Sequence, residues 1–303
     1  MSTPMTEAAP RPAALLELEE SQKKNKKKDS GRRKLTPSHI VVYILLTLAA
    51  MVTLYPLFWT VVSSLKPGIE VLLPNFFPSE PTLDNYANLL TGPDFYRYFF
   101  NSVFIAVISV GGNVLLCSMV GYALAKLDFP GKKIVMGSVL VTVMVPGVVM
   151  FVPLFITVNA MGMTNSYVGM IAPFLVGAGG VFLIRQFLLD IPDELLEAAR
   201  IDGASEYRIF FRVVLPMCGP ALATVGILTF MGTWNNLLWP LVVAQTKDMY
   251  TLPVALAFLS QGDGTTNFGV VLAGSVLTIA PIVLVFLFFQ RYFIAGIATT
   301  GIK

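Results

Sequence analysis

The sequence predicts an all-α membrane protein with six transmembrane helices, and three observations lead to this prediction. The chain has 303 residues, of which 55% are hydrophobic and 13% are charged, whereas a soluble domain carries about a quarter charged residues. Apolar stretches long enough to cross a bilayer recur along the chain, and a cluster of Lys and Arg precedes the first of them. A surface this apolar requires a bilayer, which excludes a disordered chain and an ordinary soluble enzyme.

Residues 1–34 precede the first apolar stretch and are expected to form a disordered, basic cytoplasmic tail. Eight of the 21 Lys and Arg residues lie between Lys23 and Lys34, and the tail has no apolar periodicity. A secretory signal is the alternative, but the apolar stretch at 40–62 is too long for one and no small-residue cleavage site follows it. We expect the tail to lie against anionic lipid and not to bind nucleic acid. Residues 35–303 are expected to form the transmembrane domain.

Six apolar stretches have the length of membrane spans, since a bilayer core of about 30 Å needs about 20 residues in helical form. They are residues 40–64, 99–125, 134–158, 167–189, 217–243 and 268–289. The third contains Pro146 and Pro153, and the fourth contains Gly177, Gly179 and Gly180, where neighbouring helices must cover the freed backbone groups. We therefore expect a packed bundle rather than isolated helices.

The distribution of Lys and Arg predicts the orientation of this bundle. With a cytoplasmic N-terminus, eighteen of these residues lie on the cytoplasmic side and only Lys66, Arg97 and Lys247 lie outside. Without the tail and Arg11 the ratio is still nine to three. Because cytoplasmic connections carry the excess of positive charge, both termini are expected to be cytoplasmic.

Catalytic and metal-binding patterns are missing from the sequence. The phosphate-binding pattern GxxxxGK[ST] does not occur, and the fragment GKK at 131–133 lacks its first glycine and its hydroxyl residue. His39, Cys117 and Cys218 have no neighbouring residues that would complete a metal site. The chain is therefore expected to bind no cofactor or metal and to have no enzymatic activity of its own.

The connection at residues 190–216 is the longest charged one on the predicted cytoplasmic side. Pro192 suits the first turn of a helix, and Asp193 suits the positive end of the helix dipole. Gly203 is placed to end that helix in a left-handed conformation, and a second helix can begin near Ser205. The sequence thus predicts a short amphipathic helix, a glycine bend and a second helix that protrude from the membrane.

In this connection Glu197-Ala198-Ala199 is followed after three residues by Gly203, and after nine more by Val213-x-Leu215-Pro216. This pattern resembles the EAA loop of ABC importer permeases, with Val213 where isoleucine is usual. In that family the loop forms the coupling helix, which seats in a groove on each ATPase subunit. Glu197 is then a candidate for pairing with a basic group of the ATPase, and Gly203 for making the bend. The resemblance implies a set of ATPase-coupling residues, namely Glu197, Ala198, Ala199, Asp202, Gly203, Leu215 and Pro216.

The resemblance extends over about residues 40–303 to carbohydrate permeases of the maltose-transporter type, and in particular to their smaller, MalG-like six-span subunit. Further matching segments are SLKP at 64–67, TWNNLLWPL at 233–241 and FQRYF at 289–293. It implies a type I ABC importer permease with a MetI-like bundle, located as a multi-pass protein in the bacterial or archaeal cytoplasmic membrane.

The same resemblance implies the partners of the chain. They are a second, MalF-like permease subunit, two ATP-binding subunits that use ATP and Mg, and an extracytoplasmic solute-binding protein that delivers a sugar or related solute. ATP-driven motion of the coupling helices would turn the cavity from one side of the membrane to the other. Maltodextrin, another oligosaccharide, a monosaccharide and glycerol phosphate all remain open as the solute.

Four polar or aromatic residues in or near the fifth span are candidates for the substrate pathway: Trp234, Asn235, Asn236 and Trp239. Aromatic faces suit the C–H surfaces of sugars, and amide groups suit their hydroxyls. The alternative is structural, because tryptophan concentrates at membrane interfaces and asparagine commonly bonds between helices.

Two other classes of function fit a chain with several spans. One is a stand-alone secondary carrier or channel, and the other is a membrane anchor or sensor scaffold without transport. Neither class needs a coupling helix, so the connection at 190–216 disfavours both. The spans also lack the interior Asp, Glu or Lys that proton-coupled carriers use, which disfavours the first class further.

Overall fold

A computed structural model describes residues 37–92, 94–261 and 267–300. These residues form helices and turns and contain no strand, while the predicted basic tail at 1–34 lies outside them. In chain order the helices are α1 (Pro37–Ser64), α2 (Asp84–Thr91), α3 (Phe95–Lys126), α4 (Lys132–Met144), α5 (Gly147–Ala160), α6 (Tyr167–Ile171), α7 (Ala178–Leu189), α8 (Glu194–Ile201), α9 (Glu206–Met217), α10 (Gly219–Trp234), α11 (Leu238–Val243), α12 (Leu252–Leu259) and α13 (Phe268–Thr300).

The chain divides into two units, Met1–Leu57 and Phe58–Lys303. In the first unit, the described residues belong to α1, and their apolar side chains are exposed, with Val52 at 74%. The hydroxyl of Thr53 donates to the carbonyl of Ala49 at 2.8 Å. A helix of this length with apolar side chains on its surface has the properties of a membrane span.

The prediction of an all-α protein with several spans is confirmed. Four helical segments among the described residues are long and apolar enough to cross a membrane, and the number rises to six if each of two bent helix pairs is one span. The four segments are Ser38–Ser64, Phe95–Lys126, Tyr167–Leu189 and Phe268–Gln290.

The predicted third and fifth spans are not continuous helices. The third is two helices, α4 and α5, bent by 108° at Val145–Pro146, because proline has no N–H to donate and disfavours helical geometry in the residue before it. The predicted fifth span, 217–243, is interrupted after Trp234, before the separate helix α11, and an 80° bend between α9 and α10 lies at its start. The sequence correctly predicted long apolar segments at these places, but the prediction that each forms one continuous helix was wrong.

Helix α3 is the central element of the second unit and makes its most extensive contacts with α7 and α10. Many residues of its buried face are small or polar, including Ser109, Asn113 and Gly121. A Cβ atom at Gly121 would lie 3.0 Å from Cγ2 of Ile184 and 3.2 Å from the backbone nitrogen of Arg185. Glycine therefore permits the close approach of α3 and α7, as small residues do between membrane helices.

The segment between α1 and α2 is held by buried polar groups. The side chain of Lys66 is fully buried, and its Nζ donates to the carbonyl of Asn75 at 2.5 Å. The amide of Asn85 donates to the carbonyls of Ser64 and Lys66, each at 2.8 Å. A Cβ atom at Gly269 would lie 2.5 Å from Oδ1 of Asn85. The SLKP segment at 64–67 thus has a structural role in this connection.

Candidate functional site

The segment 190–216 folds as the sequence predicted, into a helix, a glycine turn and a second helix. Helix α8 ends before Gly203, which has a φ of +78°, and α9 begins at Glu206, after Ser205. Within α9 a π turn covers Phe210–Val214. The apolar side chains of Leu196 and Ile209 are buried in a cluster that also contains residues of α7.

The structure places most of the predicted coupling residues on the surface of this segment. Glu197, Ala198, Asp202, Gly203 and Pro216 are exposed. Ala199 and Leu215 are half-buried and pack against the apolar cluster beneath the segment. The motif therefore contributes both to an outer surface and to the attachment of that surface.

Four apolar side chains of the segment are exposed in addition, and the motif did not identify them. They are Leu195 at 46%, Ile201 at 86%, Tyr207 at 74% and Phe211 at 48% exposure. Exposed apolar side chains that cluster on one element mark an interaction site. The sequence could have identified these side chains, because they lie outside the faces that the two amphipathic helices bury.

Two anchors connect the segment to α3, and the first centres on Glu206. The hydroxyl of Tyr122, near the end of α3, donates to Oε2 of Glu206 at 2.6 Å. The other carboxylate oxygen, Oε1, accepts from Nε of Arg200 at 2.7 Å. One carboxylate thereby joins α8, α9 and α3, and hydrogen bonds to charged groups are stronger than those between neutral ones.

The second anchor is Lys126, the last residue of α3, whose side chain is 4% exposed. Its Nζ donates to Oδ1 of Asp193 at 2.7 Å and to the carbonyl of Ile191 at 2.6 Å. The hydrogen bond from Lys126 holds the pKa of Asp193 below its usual range, so this carboxylate stays charged at neutral pH. We refer to the two anchors together as the α3 clamp.

The opposite end of α3 holds a different connection. Nε of Arg97 donates to the carbonyl of Asp248 at 3.0 Å. The amide of Asn101 donates to the carbonyls of Asp248 and Tyr250, each at 2.8 Å. Lys126 and Arg97, which the sequence assigns to opposite sides of the membrane, therefore lie at opposite ends of α3.

A cavity of about 480 Å³ lies among α3, α7, α10 and α11, within the size range of small-molecule sites. Apolar residues and glycines line much of it, and none of its lining residues is ionisable. The polar side chains in its lining are Ser102, Ser109, Asn113, Thr229, Thr233, Asn236 and Thr251.

Asn113 forms hydrogen bonds with the backbone at an interruption in the helical segment Tyr167–Leu189. Its Nδ2 donates to the carbonyl of Phe174 at 2.5 Å, and its Oδ1 accepts from the backbone N–H of Gly177 at 3.3 Å. Irregular backbone at membrane depth is tolerated where protein groups satisfy it or where it lines a cavity. Both conditions hold here, because Asn113 and Gly177 line the cavity.

The four predicted pathway residues divide between the cavity and the packing around it. Asn236 and Trp239 line the cavity, although Trp239 is 2% exposed and its Nε1 donates to the carbonyl of Gly169 at 3.1 Å. Trp234 is also 2% exposed and donates to the carbonyl of Thr278 at 3.0 Å. The Nδ2 of Asn235 donates to the carbonyl of Met231, one turn earlier in the chain, at 3.0 Å.

Comparison with known proteins identifies the family. Residues 117–299 match the family model described as the inner membrane component of binding-protein-dependent transport systems. The chain belongs to this family. As an inner membrane component, it is a multi-pass protein of the bacterial cytoplasmic membrane.

Members of the family with curated descriptions resemble nearly the whole chain. The arabinooligosaccharides transport system permease protein AraQ of Halalkalibacterium halodurans is 44% identical over 259 residues, which cover 84% of this chain and 92% of that protein. The trehalose transport system permease protein SugB of Mycobacterium tuberculosis is 34% identical over 263 residues, covering 86% and 96%.

A solved structure has the same fold. It belongs to a bacterial ABC transporter that imports the acidic polysaccharide alginate, with a TM-score of 0.77 and 25% identity, covering 86% of this chain and 98% of that one. The fold of this chain is therefore the fold of an ABC importer permease.

Proposed function

We propose that this chain is one of two permease subunits of an ATP-driven importer for a neutral oligosaccharide. The observation that carries the proposal is the cavity among the apolar helices α3, α7 and α10, which is lined by hydroxyl, amide and apolar groups and by no ionisable side chain. An ionised solute would need a counter-charge at that depth. Arabinooligosaccharides and trehalose, the solutes in the names of two relatives, are neutral.

In this proposal the segment 190–216 is the coupling helix. It presents exposed apolar side chains, including Ile201 and Tyr207, beside the exposed acidic Glu197. A surface of this kind suits a groove on an ATP-binding subunit, in which apolar contacts supply affinity and Glu197 pairs with a basic group. The segment and both termini then lie on the cytoplasmic side.

The α3 clamp connects this surface to the cavity. Tyr122 and Lys126 bind the segment at one end of α3, and Ser109 and Asn113 of the same helix line the cavity. A force that an ATPase subunit exerts on the segment is thereby carried to the wall of the transport pathway. ATP and Mg act in the partner subunits, and this chain supplies the binding surface and the lever.

The remaining partners follow from the same proposal. A second permease subunit would supply the other half of the pathway. A solute-binding protein would deliver the sugar at the end of α3 that contains Arg97 and Asn101, where Asp248 and Tyr250 fix the connection between α11 and α12. Family membership supports this arrangement, since the family serves binding-protein-dependent transport.

The test is reconstitution of the four-component transporter in liposomes. The chain would be co-expressed with the permease, ATPase and binding-protein genes of its own organism, and uptake of arabinotriose, trehalose and maltotriose would be measured with ATP inside or outside. We expect uptake of a neutral sugar only when ATP is on the side of the ATPase subunits. Uptake driven by an ion gradient without ATP would indicate a secondary carrier instead, and failure of any ATPase to co-purify would contradict the proposal.

A further inference from the structure

The connection between α1 and α2 contains an uncharged stretch, VLLPNFFP at residues 71–78, which we call the apolar loop. Three of its large side chains are exposed, namely Leu72 at 65%, Leu73 at 54% and Phe77 at 66%. Val71, by contrast, is buried at the start of the loop. Exposed apolar side chains that cluster in this way mark a contact with another protein or with a membrane.

The polar side chains around the apolar loop are bound to other groups of the same connection. Nζ of the buried Lys66 donates to the carbonyl of Asn75 at 2.5 Å. The carboxylate of Glu70 accepts from the backbone N–H of Ser79 at 2.8 Å and from the hydroxyl of Ser79 at 3.0 Å. It also accepts from the amide of Asn75. Polar groups that are paired within the segment, with apolar side chains outside, suit an apolar surrounding better than water.

The apolar loop folds back along the end of α1. The ring of Phe76 stacks against the ring of Phe58, with centroids 5.8 Å apart. Phe58 lies six residues before Ser64, the last residue of α1, which is about 9 Å back along the helix axis. Phe58 is itself 53% exposed. Since α1 has the properties of a membrane span, the loop lies beside the last part of a span and not beyond it.

Aromatic side chains gather at this level of α1. Trp59 follows Phe58 in the helix and is 36% exposed, and tryptophan concentrates at membrane–water interfaces. The rings of Phe76 and Phe77 meet edge to face, with centroids 5.0 Å apart. Phe and Leu are the side chains with which surface-bound segments enter the boundary between headgroups and acyl chains.

The charges near the apolar loop do not favour attachment to anionic lipid. Residues 67–96 contain no Lys or Arg but include the acidic residues Glu70, Glu80 and Asp84. The preceding cation, Lys66, is fully buried. A segment that binds a membrane through its charge carries several basic side chains, so burial of apolar surface must supply the attachment here.

We propose that the apolar loop inserts into the bilayer leaflet at the C-terminal end of α1, between headgroups and acyl chains, and fixes the depth at which α1 leaves the membrane. Leu72, Leu73 and Phe77 enter the acyl region. In the orientation of the proposed function this is the extracytoplasmic leaflet. Insertion requires neither a solute nor ATP, so this proposal goes beyond the proposed function.

The experiment measures the depth of spin labels in the transporter, purified with its co-expressed partners in nanodiscs of phosphatidylcholine. A nitroxide is attached to Leu73→Cys or to Phe77→Cys. Glu80→Cys is the matched control, because Glu80 is an exposed residue of the same connection just after the apolar loop. Collisions are measured with oxygen, which concentrates in lipid, and with a nickel chelate, which stays in water. The unmodified chain, whose two cysteines are buried, gives the background.

We expect the labels at positions 73 and 77 to lie about 5–10 Å inside the headgroup boundary, with frequent oxygen collisions and few nickel collisions. The label at position 80 should show the opposite pattern. Addition of phosphatidylglycerol should leave all three depths unchanged, because the apolar loop has no basic side chain.

Exclusion of both reagents at positions 73 and 77 would overturn the proposal and would show that a protein partner covers the apolar loop. Free access of the nickel chelate to these labels would also overturn it, by placing the loop in water. A depth that increases with phosphatidylglycerol would contradict attachment through apolar side chains. Because the measurement uses neither solute nor ATP, a failure of the proposed function would be distinguishable from each of these results.

Discussion

Single glycines set the geometry of both parts of the site. Gly203 has a φ of +78° and makes the turn between α8 and α9. The spacing of the EAA-like motif identified this residue in advance, because only glycine adopts such a conformation without strain. The role of Gly179 was not predictable, since an open space beside a glycine depends on helices that are distant in sequence.

We expect Gly203→Val to uncouple transport from ATP hydrolysis. A β-branched residue at positive φ costs about 1–2 kcal/mol, and relief of this strain would turn α8 away from its ATPase partner. Gly131→Val is the control, because Gly131 also has a positive φ, of +87°, and a Cβ atom there, as at Gly203, would meet no atom within 4 Å. Sugar uptake should fall at least tenfold for Gly203→Val and no more than twofold for Gly131→Val, with equal amounts of both proteins in the membrane. Equal uptake in the Gly203→Val and Gly131→Val variants would contradict a role of the Gly203 turn in coupling.

We expect Gly179→Leu to block the cavity without unfolding the chain. The added side chain would project from the start of α7 into space that no atom occupies. Gly137→Leu is the matched control, since Gly137 lies in α4, outside the cavity lining, and also has room for a side chain. Uptake assays with the neutral sugar should show a loss of at least tenfold for Gly179→Leu alone. A normal rate in that variant would place the pathway elsewhere.

At the scale of elements, the α3 clamp turns a surface segment into part of the membrane bundle. Tyr122 and Glu206 are 84 residues apart in sequence, and no local pattern connects them. The helices of 190–216, the glycine bend and the apolar faces were predictable from periodicity and capping residues. The clamp was not, because it depends on how α3 packs against the rest of the bundle.

We expect Tyr122→Phe to lower the number of sugar molecules imported per ATP hydrolysed. The substitution keeps the ring and removes only the hydrogen bond to Glu206, so the ATPase subunits should still bind and hydrolyse ATP. Tyr96→Phe is the control, because Tyr96 lies at the other end of α3 and is 65% exposed. The coupling ratio should fall about threefold to tenfold for Tyr122→Phe, as expected for a net loss of about 1 kcal/mol, and should be unchanged for Tyr96→Phe. Loss of ATPase binding in Tyr122→Phe would show instead that the hydroxyl maintains the docking surface.

At the scale of the whole molecule, the apolar segments were predictable from the sequence, whereas their bends and the cavity were less so. Bilayer thickness fixes how many apolar residues a span needs, so the approximate positions of the apolar segments followed from composition, although six spans result only if each bent helix pair is one span. The bend at Val145–Pro146 did not, because proline is tolerated in membrane helices with or without a kink. The bend at Cys218 lies at the predicted boundary between the segment 190–216 and the fifth span. The cavity is lined by residues around the break at Gly177 and by Asn236, which follows the end of α10, so it was the least predictable feature.

The predicted orientation can be tested with the chain's own cysteines left in place. Cys117 and Cys218 are buried, at 0% and 1% exposure, so a membrane-impermeant maleimide should not label the wild type in intact cells. We expect Glu80→Cys to be labelled in intact cells, and Asp202→Cys to be labelled only after permeabilisation, since both positions are exposed. The reverse pattern would invert the topology and would place the segment 190–216 outside the cell.

The π turn at Phe210–Val214 has a consequence for how the length of this protein can change. A π turn contains one residue more than an α turn, and each residue advances a helix by about 100°. Deletion of one residue here would leave an ordinary α-helix but would rotate Glu206 by about that angle relative to α10, away from Tyr122. The extra residue sets the rotational phase between the outer segment and the membrane helix. In a homologue that lacks the extra residue, the side chain that binds the carboxylate corresponding to Glu206 would have to lie on a different face of α3.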